Sequence, residues 1–295
     1  MSLDRPQTQA AALWARLGFV PGQTLRLFGM RRSGNHAIAD WLQRNAPSGR
    51  SAFLNNCKPV TDPFNSFRSI DVNGSSAPQR KAAADLASVA GKAGDGALLL
   101  FSYEDSTPAE FSTDRKMSGP FDETLISANL IAYRSFLNWS ASLLKKMQGN
   151  SNFGLLRRNA ILLRAIDTYT RLLGLVEQAS DLHLTCICYD RWVADQAYRE
   201  ALLTELQLPV RDNGLGQVQR YGGGSSFQQD VAAPEQLQTT NRWPQMADDP
   251  EFQAVLHLAA RDTTLMRRLA RFFPEDKTRL TQIAQQRPLA PEVLA

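Results

Sequence analysis

Cysteine and histidine are both scarce, three of each in 295 residues. Cys57, Cys186 and Cys188 are too few for the bridged framework of a small secreted scaffold. Cys186 and Cys188 alternate in "HLTCICY" and so share one face of the strand this stretch predicts. Structural thiols are the favoured reading, because a CxC metal pair would need further ligands and the other candidates are scattered. His183 and His257 fall in a predicted strand and a predicted helix and read as structural. No spaced Cys/His/Asp cluster suggests a metal, and no Ser–His–Asp set is apparent. Long apolar runs are missing too: nothing approaches the roughly 18 residues of a membrane span, so no transmembrane segment is expected. "MSLDRPQTQAAALWARLG" carries an early acidic residue and no long apolar core, so a signal peptide is not expected and a cytoplasmic protein is. Charge of one sign is also lacking. With 33 Lys plus Arg against 29 Asp plus Glu, the net charge of +4 suits an anionic ligand but is no footprint for nucleic acid.

What is present is the composition of a globular chain, 43% hydrophobic and 21% charged, long enough to bury a substantial core. A short amphipathic helix is expected over 7–17 and a strand in "TLRLFG". A helix follows in "NHAIADWLQRN", with Ala37, Ile38, Trp41 and Leu42 on one stripe. "RSAFLNN" reads as a second strand and 58–77 as a long loop. A helix is expected over 78–93, started by Ser76 and closed near Gly94. "ALLLFSY" and "LISANLIAY" are apolar enough for strands buried on both faces. Residues 105–123 read as a loop. Helices are expected in "FLNWSASLLKKM" and over about 158–179, then a strand in "LHLTCICY" and a helix in "VADQAYREALLTEL". Residues 210–248 show no period; a final helix near 249–273 precedes a polar tail. Without an internal repeat or a linker between self-sufficient halves, one domain with its core over about 24–275 is expected. The alternation implies right-handed crossovers and an α/β fold, a doubly wound, mainly parallel sheet flanked by helices.

The stretch "LRLFGMRRSGNHAIADWL" is the most informative. Gly29 and Gly34 keep the GxxxxG spacing of a phosphate-binding P-loop, but Asn35 and His36 stand where the Walker loop has Lys and Ser/Thr. A strand, a glycine turn and a helix start converge backbone N–H groups and the positive end of a helix on one point. Arg31 and Arg32 add charge there. A glycine turn with two solvated arginines is the bland alternative. Lacking the Lys for β/γ-phosphates and the hydroxyl for Mg²⁺, the loop disfavours magnesium-dependent phosphoryl transfer.

"RRSGNHAIADWL" resembles the 5′-phosphosulfate loop of the sulfotransferases, which use 3′-phosphoadenosine 5′-phosphosulfate and no metal. The resemblance implies a P-loop NTPase-like, sulfotransferase architecture. It also implies that residues 31–36 (Arg31, Arg32, Ser33, Gly34, Asn35 and His36) hold the 5′ end of the donor, with Arg32 at the bridging oxygen. The family often has Thr or Ser where this chain has Asn35 and His36. "AYRSFLNWSASLL" is similar to the family's second signature, an Arg at a strand end and a Ser eight residues on. Arg134 and Ser142 would then hold the 3′-phosphate. "ICYDRW" resembles the family's strand-end Tyr and makes Tyr189 an adenine candidate, with a buried structural Tyr as the alternative. "QRYGGGSSF" lies where the family has a glycine loop closing on the 3′-phosphate, so Arg220, Gly222 and Gly223 are candidates. There Ser225, Ser226 and Phe227 replace the family's Gly-Asp-Trp, and a flexible surface loop is the alternative. The family uses a His or Glu as base, in several members at the end of the intervening strand. Glu104 is the candidate, His36 the runner-up, and Glu104 and Asp105 as solvated loop carboxylates the alternative. The two main motifs span residues 25–147. The expected activity is sulfuryl transfer to a hydroxyl or amine of an acceptor that the sequence does not identify: carbohydrate, lipid, small phenol and peptide tyrosine stay open, as does the oligomeric state. A P-loop nucleotide kinase and a non-catalytic nucleotide-binding protein are the rival readings.

Overall fold

The computed structural model describes residues 5–106, 117–217, 227 and 237–285. Its strands are β1 (Gln23–Gly29), β2 (Ser51–Asn55), β3 (Ser69–Val72), β4 (Ser75–Pro78), β5 (Leu98–Glu104), β6 (Ala128–Tyr133) and β7 (Leu184–Cys188). They form a seven-stranded sheet in the order β4-β3-β2-β5-β1-β6-β7. The five strands from β2 to β7 in that order pair parallel, while β3 and β4 extend the β2 edge antiparallel. The helices are α1 (Arg5–Leu17), α2 (Asn35–Arg44), α3 (Pro63–Ser66), α4 (Gln79–Ala82), α5 (Leu86–Ala90), α6 (Phe136–Gln148), α7 (Leu155–Glu177), α8 (Tyr189–Ala194), α9 (Gln196–Glu205), α10 (Pro250–Ala259), α11 (Thr263–Phe272) and α12 (Pro274–Gln285).

Strand alternation sorts the core into two halves. Leu25, Leu27, Leu98, Leu100, Leu130 and Ala132 face a cluster with Ile38, Trp41 and Leu42 of α2, Trp192 of α8 and Leu203 of α9. Phe28, Leu99, Phe101, Tyr103 and Ile131 point the other way, toward Trp139 and Leu144 of α6, Tyr169 and Leu173 of α7, and Leu256, Leu269 and Leu280 of α10, α11 and α12. Helices thus cover both faces, and the fully buried run Leu98–Tyr103 is what a central parallel strand requires. Arg26 of β1 is the polar intrusion: its guanidinium donates to Asn129 Oδ1 at 2.8 Å, to Ser118 Oγ at 2.9 Å and to Glu123 Oε2 at 3.1 Å.

Several expected elements differ. The expected loop over 58–77 contains α3 and the β3–β4 hairpin. Its two-residue turn, Asn73 (φ 51°) and Gly74 (φ 82°), is left-handed at both positions, as a type I′ turn demands. The helix expected over 78–93 is split into α4 and α5 with 3₁₀ turns, because Asp85 leaves helical backbone (φ −150°) and its carboxylate accepts from Ser88 N to start α5 afresh. The helix expected from "VADQ" onward is likewise divided by extended Asp195, which caps α9 by accepting from Tyr198 N. The final helix is three: Asp262 caps α11, and the expected polar tail beyond 273 holds α12, whose Leu280 and Ile283 are buried. The core therefore reaches beyond residue 275. His183 precedes β7 instead of lying in it.

Candidate functional site

The carboxyl ends of β1, β5 and β6 lie side by side, where open α/β sheets bind ligands. They deliver the Met30–Gly34 loop, Glu104 with Asp105, and Arg134. Arg32 (φ 71°) and Gly34 (φ 90°) are both left-handed, which turns the chain sharply into α2. Gly34 is enforced twice, because a Cβ there would also sit 2.1 Å from ring carbons of Tyr189. No side chain caps α2, so its first N–H groups remain available to an anion. Ser33 is fully buried, and its Oγ has no hydrogen-bond partner among the described residues.

Each predicted loop residue has a distinct place. Arg31 pairs with Asp105 through its guanidinium and donates its backbone N–H to Asp105 Oδ1 at 2.8 Å. Its carbonyl accepts from Trp139 Nε1 at 2.9 Å. Arg32 donates from Nε to Ser142 Oγ at 3.3 Å, and its carbonyl accepts from Arg134 Nη1 at 3.0 Å. Ser142 therefore meets Arg32 directly. Asn35 staples the loop: its amide donates to Met30 O at 3.1 Å and reaches Glu104 Oε1 at 3.5 Å. Its side-chain donors face inward, so its N–H at the start of α2 is what it offers an anion.

Arg134 is buried and bolts the site together. Besides the Arg32 carbonyl it binds the Thr239 carbonyl, and its Nε lies 3.9 Å from Asp190 Oδ1. Its own carbonyl accepts from Tyr169 Oη at 2.6 Å. The guanidinium stands over the Tyr189 ring, 5.2 Å from its centroid, and that ring stacks on Trp192 at 5.8 Å. Tyr189, nearly buried, is thus a wall behind Gly34 and Arg134. Arg220, Gly222 and Gly223 lie outside the described residues.

One residue escaped sequence reasoning. Arg242, on the segment before α10, is 3% exposed and makes no ion pair among the described residues. Its pKa is pushed down to about 10 by burial first, then by the charges of Arg134 and Arg32. Arg32 is lowered by burial and by Arg134, against the opposing pull of Glu104 and Tyr189. Mutual repulsion therefore links three guanidinium groups, of which Arg134 and Arg242 are buried and Arg32 half-buried. "TTNRWPQM" carries no motif that could have marked Arg242.

Glu104 and His36 approach each other at the same edge, with Nε2 3.9 Å from Oε1. Burial and the neighbouring Asp105 raise the Glu104 carboxyl above its usual value, although Asn35, Arg31 and Arg68 oppose the shift. Burial, then Arg32 and Arg68, lowers His36 to about 4, so at neutral pH it is an uncharged imidazole. The cysteines are elsewhere: Cys57 is buried, and burial raises Cys186 to about 12. Among the described residues no group of three or more His, Cys, Asp or Glu could hold a metal ion, and no helix is long and apolar enough to cross a membrane.

No protein-family model, no curated protein and no solved structure matches this chain.

Proposed function

We propose that the protein is a sulfotransferase of P-loop-like ancestry, moving a sulfuryl group from 3′-phosphoadenosine 5′-phosphosulfate to a hydroxyl or amine. The observation that carries this reading is the cluster of buried Arg134 and Arg242 with half-buried Arg32 beside the uncapped start of α2. Like charges gathered with little access to water oppose folding, and a ligand with two separated anionic groups would relieve that repulsion. The 5′-phosphosulfate and the 3′-phosphate on one nucleotide are such a pair. The strand–glycine turn–helix unit supports the P-loop relation. Asn35 in place of the Walker lysine, with its amide turned to the loop's own carbonyl, favours a donor other than ATP–Mg²⁺.

In this reading the acceptor hydroxyl gives its proton to Glu104, and its oxygen attacks sulfur. The S–O bond to the 5′-phosphate breaks, and the electron pair leaves on adenosine 3′,5′-bisphosphate. Arg32 and the N–H groups at the start of α2 stabilise the charge that develops on that leaving phosphate. Burial raises the Glu104 carboxyl, which makes it a stronger base than a fully solvated carboxylate would be. A nucleotide-kinase reading is favoured by one feature, the carboxylates Glu104 and Asp105 at the β5 end.

Thermal unfolding with adenosine 3′,5′-bisphosphate, ADP, AMP and ATP–Mg²⁺ at equal concentration separates the readings. A ligand a hundredfold above its Kd adds about 2.7 kcal/mol. Preference for the bisphosphate, lost in Arg134→Ala, is expected; preference for ATP–Mg²⁺ would overturn the proposal. Bisphosphate binding without turnover, indifferent to Glu104→Gln, would mark a non-catalytic nucleotide-binding protein.

A further inference from the structure

A cleft of about 480 Å³ opens on the α2 side of the sheet, between α2 and strands β2 and β3. Its position follows from strand alternation. Phe53 and Asn55 of β2 and Ser69 and Asp71 of β3 stand on one face, because Phe53 pairs with Asp71 and Asn55 with Ser69. On β5, Ser102 and Glu104 stand on that same face. Ser102 Oγ donates to Asn55 Oδ1 at 3.4 Å, and His36 lines the cleft at the end nearest Glu104. A molecule lying in the cleft therefore reaches the start of α2 at His36, whose Nε2 is 3.9 Å from the Glu104 carboxylate.

The lining chemistry narrows what that molecule is. Asn55, Ser69, Asp71 and Gln43 are polar, and Phe53 gives one apolar patch in the floor. The Asp71 carboxylate accepts from Gly74 N at 3.0 Å through Oδ1, leaving Oδ2 without a partner among the described residues. Gln43 accepts from Ser51 Oγ at 3.3 Å, leaving its amide N–H groups for a ligand. Arg44 is already engaged by Asp40 at 2.9 Å and by Asp212, whereas Asp71 has no cation within ion-pair distance among the described residues. A carboxylate facing the cleft beside an amide donor accepts from and donates to neighbouring hydroxyls, and it repels an anionic acceptor. An aryl acceptor would instead need predominantly apolar walls.

Resting on the sulfuryl-transfer reading above, we infer that the acceptor is a neutral, polyhydroxylated molecule of sugar size, held along β2 and β3 with one hydroxyl presented to Glu104. Asp71 acts as a specificity residue that touches the acceptor and not the donor.

The test uses the full chain and labelled 3′-phosphoadenosine 5′-phosphosulfate. The acceptors are a panel of neutral mono- and disaccharides (glucose, galactose, mannose, maltose, cellobiose, trehalose), glucuronic acid, 4-nitrophenol and a tyrosine peptide. Transfer to at least one neutral sugar, at a rate tenfold or more above glucuronic acid and 4-nitrophenol, is expected. Asp71→Asn keeps the oxygen that caps Gly74, so it should fold. It should lower kcat/KM for that sugar about tenfold, narrow the discrimination against glucuronic acid, and leave the thermal shift with adenosine 3′,5′-bisphosphate unchanged. If the bisphosphate gives no shift, the donor reading itself fails. If it does shift unfolding yet no neutral sugar is sulfated, or 4-nitrophenol or the peptide is preferred, the acceptor assignment is overturned and the donor reading stands.

Discussion

Replacing Asp276 with asparagine should remove a pH dependence of stability that the fold builds in. Asp276 sits in the first turn of α12 but serves the start of α6. Its carboxylate accepts from Ser135 Oγ at 2.9 and 3.1 Å and from Leu137 N at 3.3 Å. Those bonds favour the anion. Burial outweighs them, and with the nearby charge of Asp190 it raises the carboxyl from its ordinary 3.8 to about 6. A folded pKa above the unfolded one means that the native state holds its proton longer. The contribution is thus fully present below pH 3.8 and is lost as pH rises through about 6. A gap of about two between the pKa values corresponds to about 3 kcal/mol, of which about 2 kcal/mol falls between pH 4.5 and 7.5. Asparagine is isosteric, still accepts through one oxygen and does not titrate. Urea unfolding of both proteins at half-unit steps across that range gives a difference in which every other titration largely cancels. The stability of the wild type relative to Asp276→Asn should fall by about 2 kcal/mol as pH rises. A difference flat to within about 0.5 kcal/mol would refute the claim that desolvation outweighs the hydrogen bonds at this carboxyl.

Gly34→Ala combines a left-handed backbone, costing about 1–2 kcal/mol, with a methyl driven against the Tyr189 ring, costing about 1–3 kcal/mol; a urea midpoint equal to wild type would show that the loop is not held as described. Arg242→Met relieves the repulsion on Arg134 and Arg32, so unfolding without ligand should shift to equal or higher denaturant while the adenosine 3′,5′-bisphosphate shift shrinks; a large loss of stability without ligand would make Arg242 a structural residue. The pH profile of kcat/KM should carry a limb from Glu104, rising with pH above the ordinary carboxylate range because burial raises that group, and Glu104→Gln should abolish the limb along with most of the rate. A thiol reagent at pH 8 should leave all three cysteines unlabelled until urea unfolds the chain, since burial raises each thiol; rapid labelling of Cys57 in the native protein would contradict its burial.

What could be read from the sequence and what could not divides along the range of the interactions involved. β1, its glycine turn and α2 are specified within a few residues of one another: an apolar run, a position that only a residue tolerant of positive φ can fill, then an apolar stripe at helical spacing. Local physics determines them, so a local reading finds them. The β3–β4 hairpin was legible in principle through Asn73-Gly74, but β4 is "SSAP" and brings no apolar alternation to join the turn to a strand. Helix breaks at Asp85, Asp195 and Asp262 turn on whether a short carboxylate faces solvent or a free N–H, which the letter alone does not say. The arginines make the point most sharply. Arg26 sits in the middle of β1, and Glu123, Ser118 and Asn129 satisfy it, so its charge has a structural explanation. Arg134 shares the next strand's carboxyl end with the loop and was legible from its strand–helix junction. Arg242 arrives from a segment without regular period, and only the folded chain brings it to Arg32 and Arg134. A buried charge paired with a carboxylate at hydrogen-bond distance, as Arg26 is with Glu123, is a folding device, whereas like charges brought together from three distant segments persist against their own repulsion. The sequence cannot display such a cluster, because no two of its members are neighbours.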